Sequence, residues 1–302
     1  VIRWHLCGAD DQGSKFAAGV YPLTRDERCF FLVVEFNTVT WQEDVLAVQA
    51  VSDKLGICSA FERSRDGQGA HLWLFFAEAV PATLARRLAT LVLTEAMEQR
   101  PERGLDAYDR LVPRQDTLPK NSFGGLIALP LEQRPRRQGN SVFVDRRFRP
   151  YEDQWAYLAG LEPLSVDRLQ RIIAQAGSEE RVVGVRRPPE DDVQAWRPRS
   201  SQKNTRRSPE PLLPSRLQLT LADQIYIDKC ELPPQLHNQL LRVAAFRNPA
   251  FSEAQAMRRS TYGHPRIVAC AEDFKRHLAI PRGCLDDVPS LLADFHLEAA
   301  VA

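Results

Sequence analysis

A mixed α+β fold is predicted by three observations on the first half of the chain. Phe30-Phe31-Leu32-Val33-Val34-Glu35-Phe36 is an aromatic and β-branched run of strand length, closed by Asn37-Thr38. Val45, Leu46, Val48, Val51 and Leu55 then recur at helical spacing. Ala70-His71-Leu72-Trp73-Leu74-Phe75-Phe76 returns to strand character, so strands and helices alternate.

The elements follow in order. Thr40 is placed to cap the helix that begins at Trp41, Glu43 and Asp44 put negative charge in its first turn, and Gly56 stops it. Ser59 to Arg63 reads as a second strand, joined to the third by Ser64-Arg65-Asp66-Gly67-Gln68-Gly69, whose two glycines suit a tight connection. Pro81 opens a long helix through Leu84, Leu88, Leu91, Val92 and Met97. Prolines 113, 119, 130 and 135 break the next stretch, in which Gly125 to Leu129 and Ser141 to Val144 read as strands. Helices are expected around Asp153 to Leu158 and Ser165 to Gln175.

Composition changes from Gly177 to Pro214, a stretch poor in apolar residues and rich in proline and arginine, which reads as a disordered linker. Beyond it, Leu219 to Cys230, Pro233 to Phe246 and Phe251 to Arg259 are read as helices and Arg266 to Cys270 as a strand. The expected organisation is therefore a first domain over residues 1–177, a linker over 178–214 and a small, mainly helical domain over 215–302. A chain of 302 residues is long enough for two domains of ~100–200 residues.

Forty Lys+Arg against 39 Asp+Glu leave a net charge of +1, so bulk charge does not mark a nucleic-acid binder and local clusters must carry that argument. The six cysteines are scattered with no C-x-x-C pair, which argues against a zinc ribbon or a disulfide framework. No apolar run approaches the ~18–20 residues of a membrane span, and the N-terminus lacks signal-peptide order. A cytoplasmic location is expected. Val1 stands where an initiator methionine would, so a fragment of a longer chain or a naturally shortened chain is expected.

One constellation carries chemistry. Alternation along a strand puts Glu35 and Asn37 on one face, where two oxygen donors can share a divalent cation, Mg²⁺ or Mn²⁺. Asp116 in Gln115-Asp116-Thr117-Leu118-Pro119-Lys120 is a candidate third acid, making Glu35, Asn37 and Asp116 the expected metal and catalytic set. Ser64, Gly67, Gly69 and His71 supply donors suited to a nucleoside triphosphate, and Lys120 is a candidate to neutralise phosphate charge. Such parts serve nucleotidyl transfer. Arg134, Arg136, Arg137, Arg146, Arg147 and Arg149 have one acid among them, Asp145, and form a candidate path for a nucleic-acid backbone. Each has a plainer reading: Gly67 and Gly69 as an ordinary hairpin, His71 as a structural histidine, Asp116 as a turn cap, the basic linker as a solvated tether. Trp73, Phe75 and Phe76 are read as core.

A strand bearing two metal ligands, then S-x-x-G-x-G-x-H-x-W, then a third acid resembles the archaeo-eukaryotic primase superfamily. The surroundings resemble the primase-polymerase domain of TOTE conflict systems: Gly19-Val20-Tyr21-Pro22-Leu23, Trp41-Gln42-Glu43-Asp44, Gly69-Ala70-His71-Leu72-Trp73, Ile127-Ala128-Leu129-Pro130-Leu131 and Gly139-Asn140-Ser141-Val142-Phe143. This covers roughly Gly19 to Leu161. Ala244-Ala245-Phe246-Arg247-Asn248-Pro249 and Pro281-Arg282-Gly283-Cys284-Leu285 resemble the segment leading into the helicase of those systems. No G-x-x-x-x-G-K-[ST] occurs, so a helicase motor is not among these residues.

The resemblance implies an RRM-like sheet, template-dependent nucleotide polymerisation or priming, single-stranded or primed nucleic acid and a nucleoside triphosphate as partners, and helicase or nuclease modules in the full system. One departure bears on activity. Where the family has D-x-D this chain has Glu35 and Asn37, which removes a charge from the cation site, so a catalytically reduced enzyme is expected. Two rivals stand beside it: a non-catalytic module binding single-stranded nucleic acid and nucleotide, and a metal-dependent nuclease.

Overall fold

The computed structural model describes residues 1–99, 110–176 and 216–301, so the predicted linker lies outside the described residues. The chain divides into two units, the first comprising Val1–Val183 with Ala250–Pro265 and the second Gly184–Pro249 with Arg266–Ala302.

The first unit opens with α1 (Ile2–Cys7) and a two-stranded ribbon of β1 (Gly19–Val20) against β6 (Ile127–Ala128). At its centre lie β2 (Arg28–Phe36), α2 (Trp41–Lys54), β3 (Ser59–Arg63), β4 (Ala70–Pro81), α3 (Ala82–Gln99) and β5 (Leu111–Val112). The strands pair antiparallel in the order β3-β4-β2-β5. This is the split β-α-β-β-α-β topology that an RRM-like sheet requires. Cross-strand partners share a face, so Phe61, Leu72 and Val34 form one row, and Ser59, Leu74 and Leu32 the next. That face is almost wholly apolar. The buried sides of α2 (Val45, Val48, Val51) and α3 (Ala85, Leu88, Ala89, Val92) pack on the sheet and cover it. The opposite face carries Glu35, Glu62 and His71 beside Val33, Ala60 and Trp73.

Local signals mostly point to the right element and sometimes to the wrong detail. Thr40 sits at the start of α2, but its hydroxyl donates to Asp44 Oδ2 (3.2 Å) instead of capping a backbone amide, because the buried Asp44 carboxylate needs donors from both Thr38 and Thr40. Gly56 has φ +66°, the left-handed turn after the helix that glycine alone takes without cost. The stretch at Gly125–Leu129 shortens to β6. Ser141–Val144 pairs along the outer edge of β3, with Arg63 N donating to Val142 O and Val144 N to Phe61 O. After α4 (Gln133–Arg136) come α5 (Gln154–Ala159), capped by the Asp153 carboxylate on the amides of Trp155 and Ala156, and α6 (Val166–Ala176).

The second unit corrects the expectation of a mainly helical tail. Residues 219–230, expected as a helix, form the hairpin of β7 (Arg216–Leu221) and β8 (Ile225–Asp228). Leu217, Leu219, Leu221, Ile225 and Ile227 alternate with polar residues, a period of two that puts all five on one face. With β11 (Glu272–Asp273), β12 (His277–Ile280) and β13 (Glu298–Val301) they make a five-stranded sheet ordered β11-β12-β8-β7-β13. Here α7 (Pro234–Val243) and α9 (Asp287–Asp294) bury Leu236, Leu240, Val288 and Leu292 against it. A separate ribbon pairs β9 (Ala245–Arg247) with β10 (Ile267–Ala269). The intervening α8 (Pro249–Ala256) belongs with the first unit from Ala250 onward, contrary to an uninterrupted second domain over 215–302.

Candidate functional site

Register builds the site. Glu62 on β3, His71 on β4 and Glu35 on β2 are successive cross-strand partners and share the face opposite the Phe61–Leu72–Val34 row. Their neighbours in the next row are Ala60, Trp73 and Val33. His71 Nδ1 lies 3.1 Å from Glu62 Oε2, Trp73 Nε1 donates to the same oxygen at 3.0 Å, and Ser141 Oγ donates to Oε1 at 3.2 Å. The Glu62 side chain is 2% exposed and that of His71 is 18% exposed.

A buried carboxylate is tolerated when donors surround it, and Glu62 has three. Burial works against a charged His71 ring. The hydrogen bond and charge of Glu62, with the charges of Glu35 and Asp66, outweigh it and raise the pKa above the ordinary 6.5. With Nδ1 committed to Glu62, Nε2 is the cationic ring's second donor. Sequence reasoning misses Glu62 because a glutamate inside Ser59-Ala60-Phe61-Glu62-Arg63 looks like any solvent-facing strand residue. The signal available is its even spacing from Ala60 on a short strand, with His71 and Trp73 likewise two apart on the next.

The loop before His71 is preorganised. Gly67 N donates to Ser64 O and Ser64 N to Gly69 O, while Ser64 Oγ and Gln68 N both donate to Asp66 Oδ1, holding that carboxyl below its ordinary range. The Ser64 hydroxyl thus donates within its own loop. Gly67 has φ +74°, and a Cβ there would meet Asn140 Oδ1 at 2.8 Å. A Cβ on Gly69 would run into the carbonyl oxygen of Phe36, with Asn37 Cα close behind. The glycine therefore lets the loop close against the end of β2, bringing the Glu35–Asn37 and Ser64–His71 motifs together.

The expected cation ligands are not gathered in the same way. β2 ends at Phe36, so Asn37 is an exposed residue just past the strand and not part of its alternation. Glu35 is partly buried, with Arg114 3.6 Å from its carboxylate. Asp116 faces the guanidinium of Arg86 on α3 (Oδ1 to Nε 3.1 Å) and accepts from Gln255 Nε2 at 3.1 Å. Arg86 is 1% exposed and also donates to the carbonyl of Pro113 at 2.6 Å. Asp116 thus serves as counter-ion to a buried arginine. Among the described residues no three His, Cys, Asp or Glu side chains are placed to hold a metal ion. One carboxylate beside a guanidinium, one neutral amide and one acid tied to another arginine do not fit a pair of divalent cations, whose ligands must supply compensating negative charge.

Lys120 lies on an exposed loop, its backbone amide donating to Arg258 O at 2.8 Å. Of the six arginines expected to meet nucleic acid, Arg136, Arg146 and Arg149 have internal partners: Arg136 donates to Leu6 O, Arg146 pairs with Asp53 on α2 and Arg149 with Asp145. Arg134, Arg137 and Arg147 are exposed.

A search of curated proteins finds no match. The family model for the archaeo-eukaryotic primase domain of TOTE conflict systems matches residues 1–172, which spans the whole four-stranded sheet, both of its helices and the Glu62–His71–Glu35 row. By that match and by its sheet order, this chain belongs to the archaeo-eukaryotic primase family of TOTE conflict systems.

Proposed function

We propose that the domain binds a nucleoside triphosphate beside the Glu62–His71–Glu35 row and acts on nucleic acid, as a member of the primase family in which metal-dependent nucleotidyl transfer is reduced. The observation that carries this reading is the Glu62–His71 pair. A buried carboxylate 3.1 Å from His71 Nδ1 raises the pKa of the histidine at the mouth of a preorganised glycine loop, an arrangement that favours an anionic ligand. Gly69 and His71 supply the donors, Lys120 adds positive charge to the same unit, and Glu35 remains beside them.

Primases of this family generally use divalent cations, which supply charge neutralisation at the transferring phosphate when bound. Glu35 is the ligand best placed for one. The neutral Asn37 and the Arg86-bound Asp116 account for reduction rather than full activity. Single-stranded or primed nucleic acid as template, a cytoplasmic setting and helicase or nuclease modules in the larger system complete the proposal.

The test is calorimetric titration of a nucleoside triphosphate into the wild type and His71→Ala. The variant is expected to bind more weakly by ~1–3 kcal/mol, the cost of losing a charge-assisted hydrogen bond, with its circular dichroism unchanged. Equal affinities would return His71 to a purely structural role. Extension assays on primed templates with Mn²⁺ then measure how far transfer is reduced.

A further inference from the structure

The 119–122 loop and residues 257–260 meet in a cleft of about 600 Å³, lined in part by Lys120, Met257, Arg258 and Arg259. Its walls are fixed to each other. Besides the Lys120 amide on Arg258 O, Gln255 Oε1 accepts from Asp116 N, its Nε2 donates to the Asp116 carboxylate, and Thr261 Oγ1 donates to Gln115 Oε1 at 3.2 Å. Residues 250–265, reached only after the linker, thus complete a feature of the first unit.

The charge in this cleft is unbalanced. Arg258 pairs with Glu27 at 2.8 Å, whereas Lys120 and Arg259 are exposed and make no ion pair among the described residues. Large aromatic rings flank the lining segments in sequence. Phe123 is 63% exposed with its ring against that of Tyr21 (centroids 5.3 Å apart), and Tyr262 is 86% exposed. Exposed cations without ion pairs, in segments that run on directly into exposed aromatic residues, suit a ligand that offers phosphates and bare base faces together. A duplex hides its base faces.

We propose that this cleft binds single-stranded nucleic acid, with Lys120 and Arg259 on the phosphates and Phe123 and Tyr262 stacking on bases. The assignment rests on the nucleic-acid reading above and moves the interface away from Arg134–Arg147.

The experiment is fluorescence anisotropy of a labelled oligothymidylate with the 302-residue chain across a salt series. Lys120→Glu combined with Arg259→Glu is expected to weaken binding at least ~10-fold and to flatten the salt dependence by about 0.7 for each phosphate no longer neutralised. Phe123→Ala should weaken it ~5-fold or more at unchanged slope, because stacking releases no counterions. Arg134→Glu with Arg137→Glu should bind as wild type, and each variant should keep the wild-type circular dichroism and thermal midpoint, which report an intact fold. The proposal is overturned if the cleft variants bind like wild type, if the Arg134 and Arg137 pair abolishes binding instead, or if duplex competes as well as single strand. A wild type that binds no single strand overturns it too, while the His71 titration separately decides the nucleotide reading.

Discussion

Replacing Glu62 by glutamine keeps the shape of the side chain and removes its charge. In the structure the carboxylate receives His71, Trp73 and Ser141 at 3.0–3.2 Å. A hydrogen bond to a charged group contributes ~1.5–3 kcal/mol and a neutral one ~0.5–1.5, so the exchange costs roughly 1 kcal/mol per donor, or about 3 in all. Relief from burying a carboxylate offsets part of this, leaving about 1–3 kcal/mol. The loss depends on pH. His71 titrates above 6.5 in the fold because, although burial opposes its charge, the hydrogen bond and charge of Glu62 with the charges of Glu35 and Asp66 prevail. A raised pKa gives stability that is fully present below the unfolded value and disappears as pH rises through the folded one. In Glu62→Gln, burial is opposed only by Glu35 and Asp66, so the His71 pKa falls. The stability gap between the two proteins is therefore widest on the acid side and narrows as pH passes the wild-type His71 pKa. NMR titration of the His71 ring and urea unfolding over a pH series measure both effects. An unchanged His71 titration, or a gap independent of pH, would refute the argument.

Other expectations follow from single interactions. Asp116→Ala removes a carboxylate from the buried Arg86 and should destabilise the first unit by ~1–3 kcal/mol in urea unfolding, whereas an acid serving only a cation would leave stability unchanged. Gly69→Ala forces a Cβ into the Phe36 carbonyl and should cost ~1–3 kcal/mol, read as a lower thermal midpoint; a wild-type midpoint would show that the loop is slack. Asn37→Asp adds a second carboxylate at the end of β2 and should tighten Mn²⁺ binding in calorimetry, and equal affinities would mean that positions 35 and 37 do not share a cation.

What can be read from the sequence is local. The Phe30–Phe36 strand, the α2 periodicity, the glycine loop and the Asp153 cap each depend on a few consecutive residues, whose backbone preferences and hydrophobic period act before any packing. The motif order carries the family for the same reason. The β7–β8 hairpin is legible too, in the alternation from Leu217 to Ile227, but Ala222-Asp223-Gln224 interrupts it without a glycine or proline, and the segment passes for a helix.

Tertiary structure decides how the charges are used. Glu62 acquires its role from register, which lines it up with His71 across one strand pair and with Ser141 across another. Asp116 counts as a cation ligand until the fold buries Arg86 beside it and brings Gln255, 139 positions away, onto its other oxygen. An ionised side chain is indifferent to sequence neighbours; burial sets the cost of its charge, and the nearest opposite charge in space determines what it does.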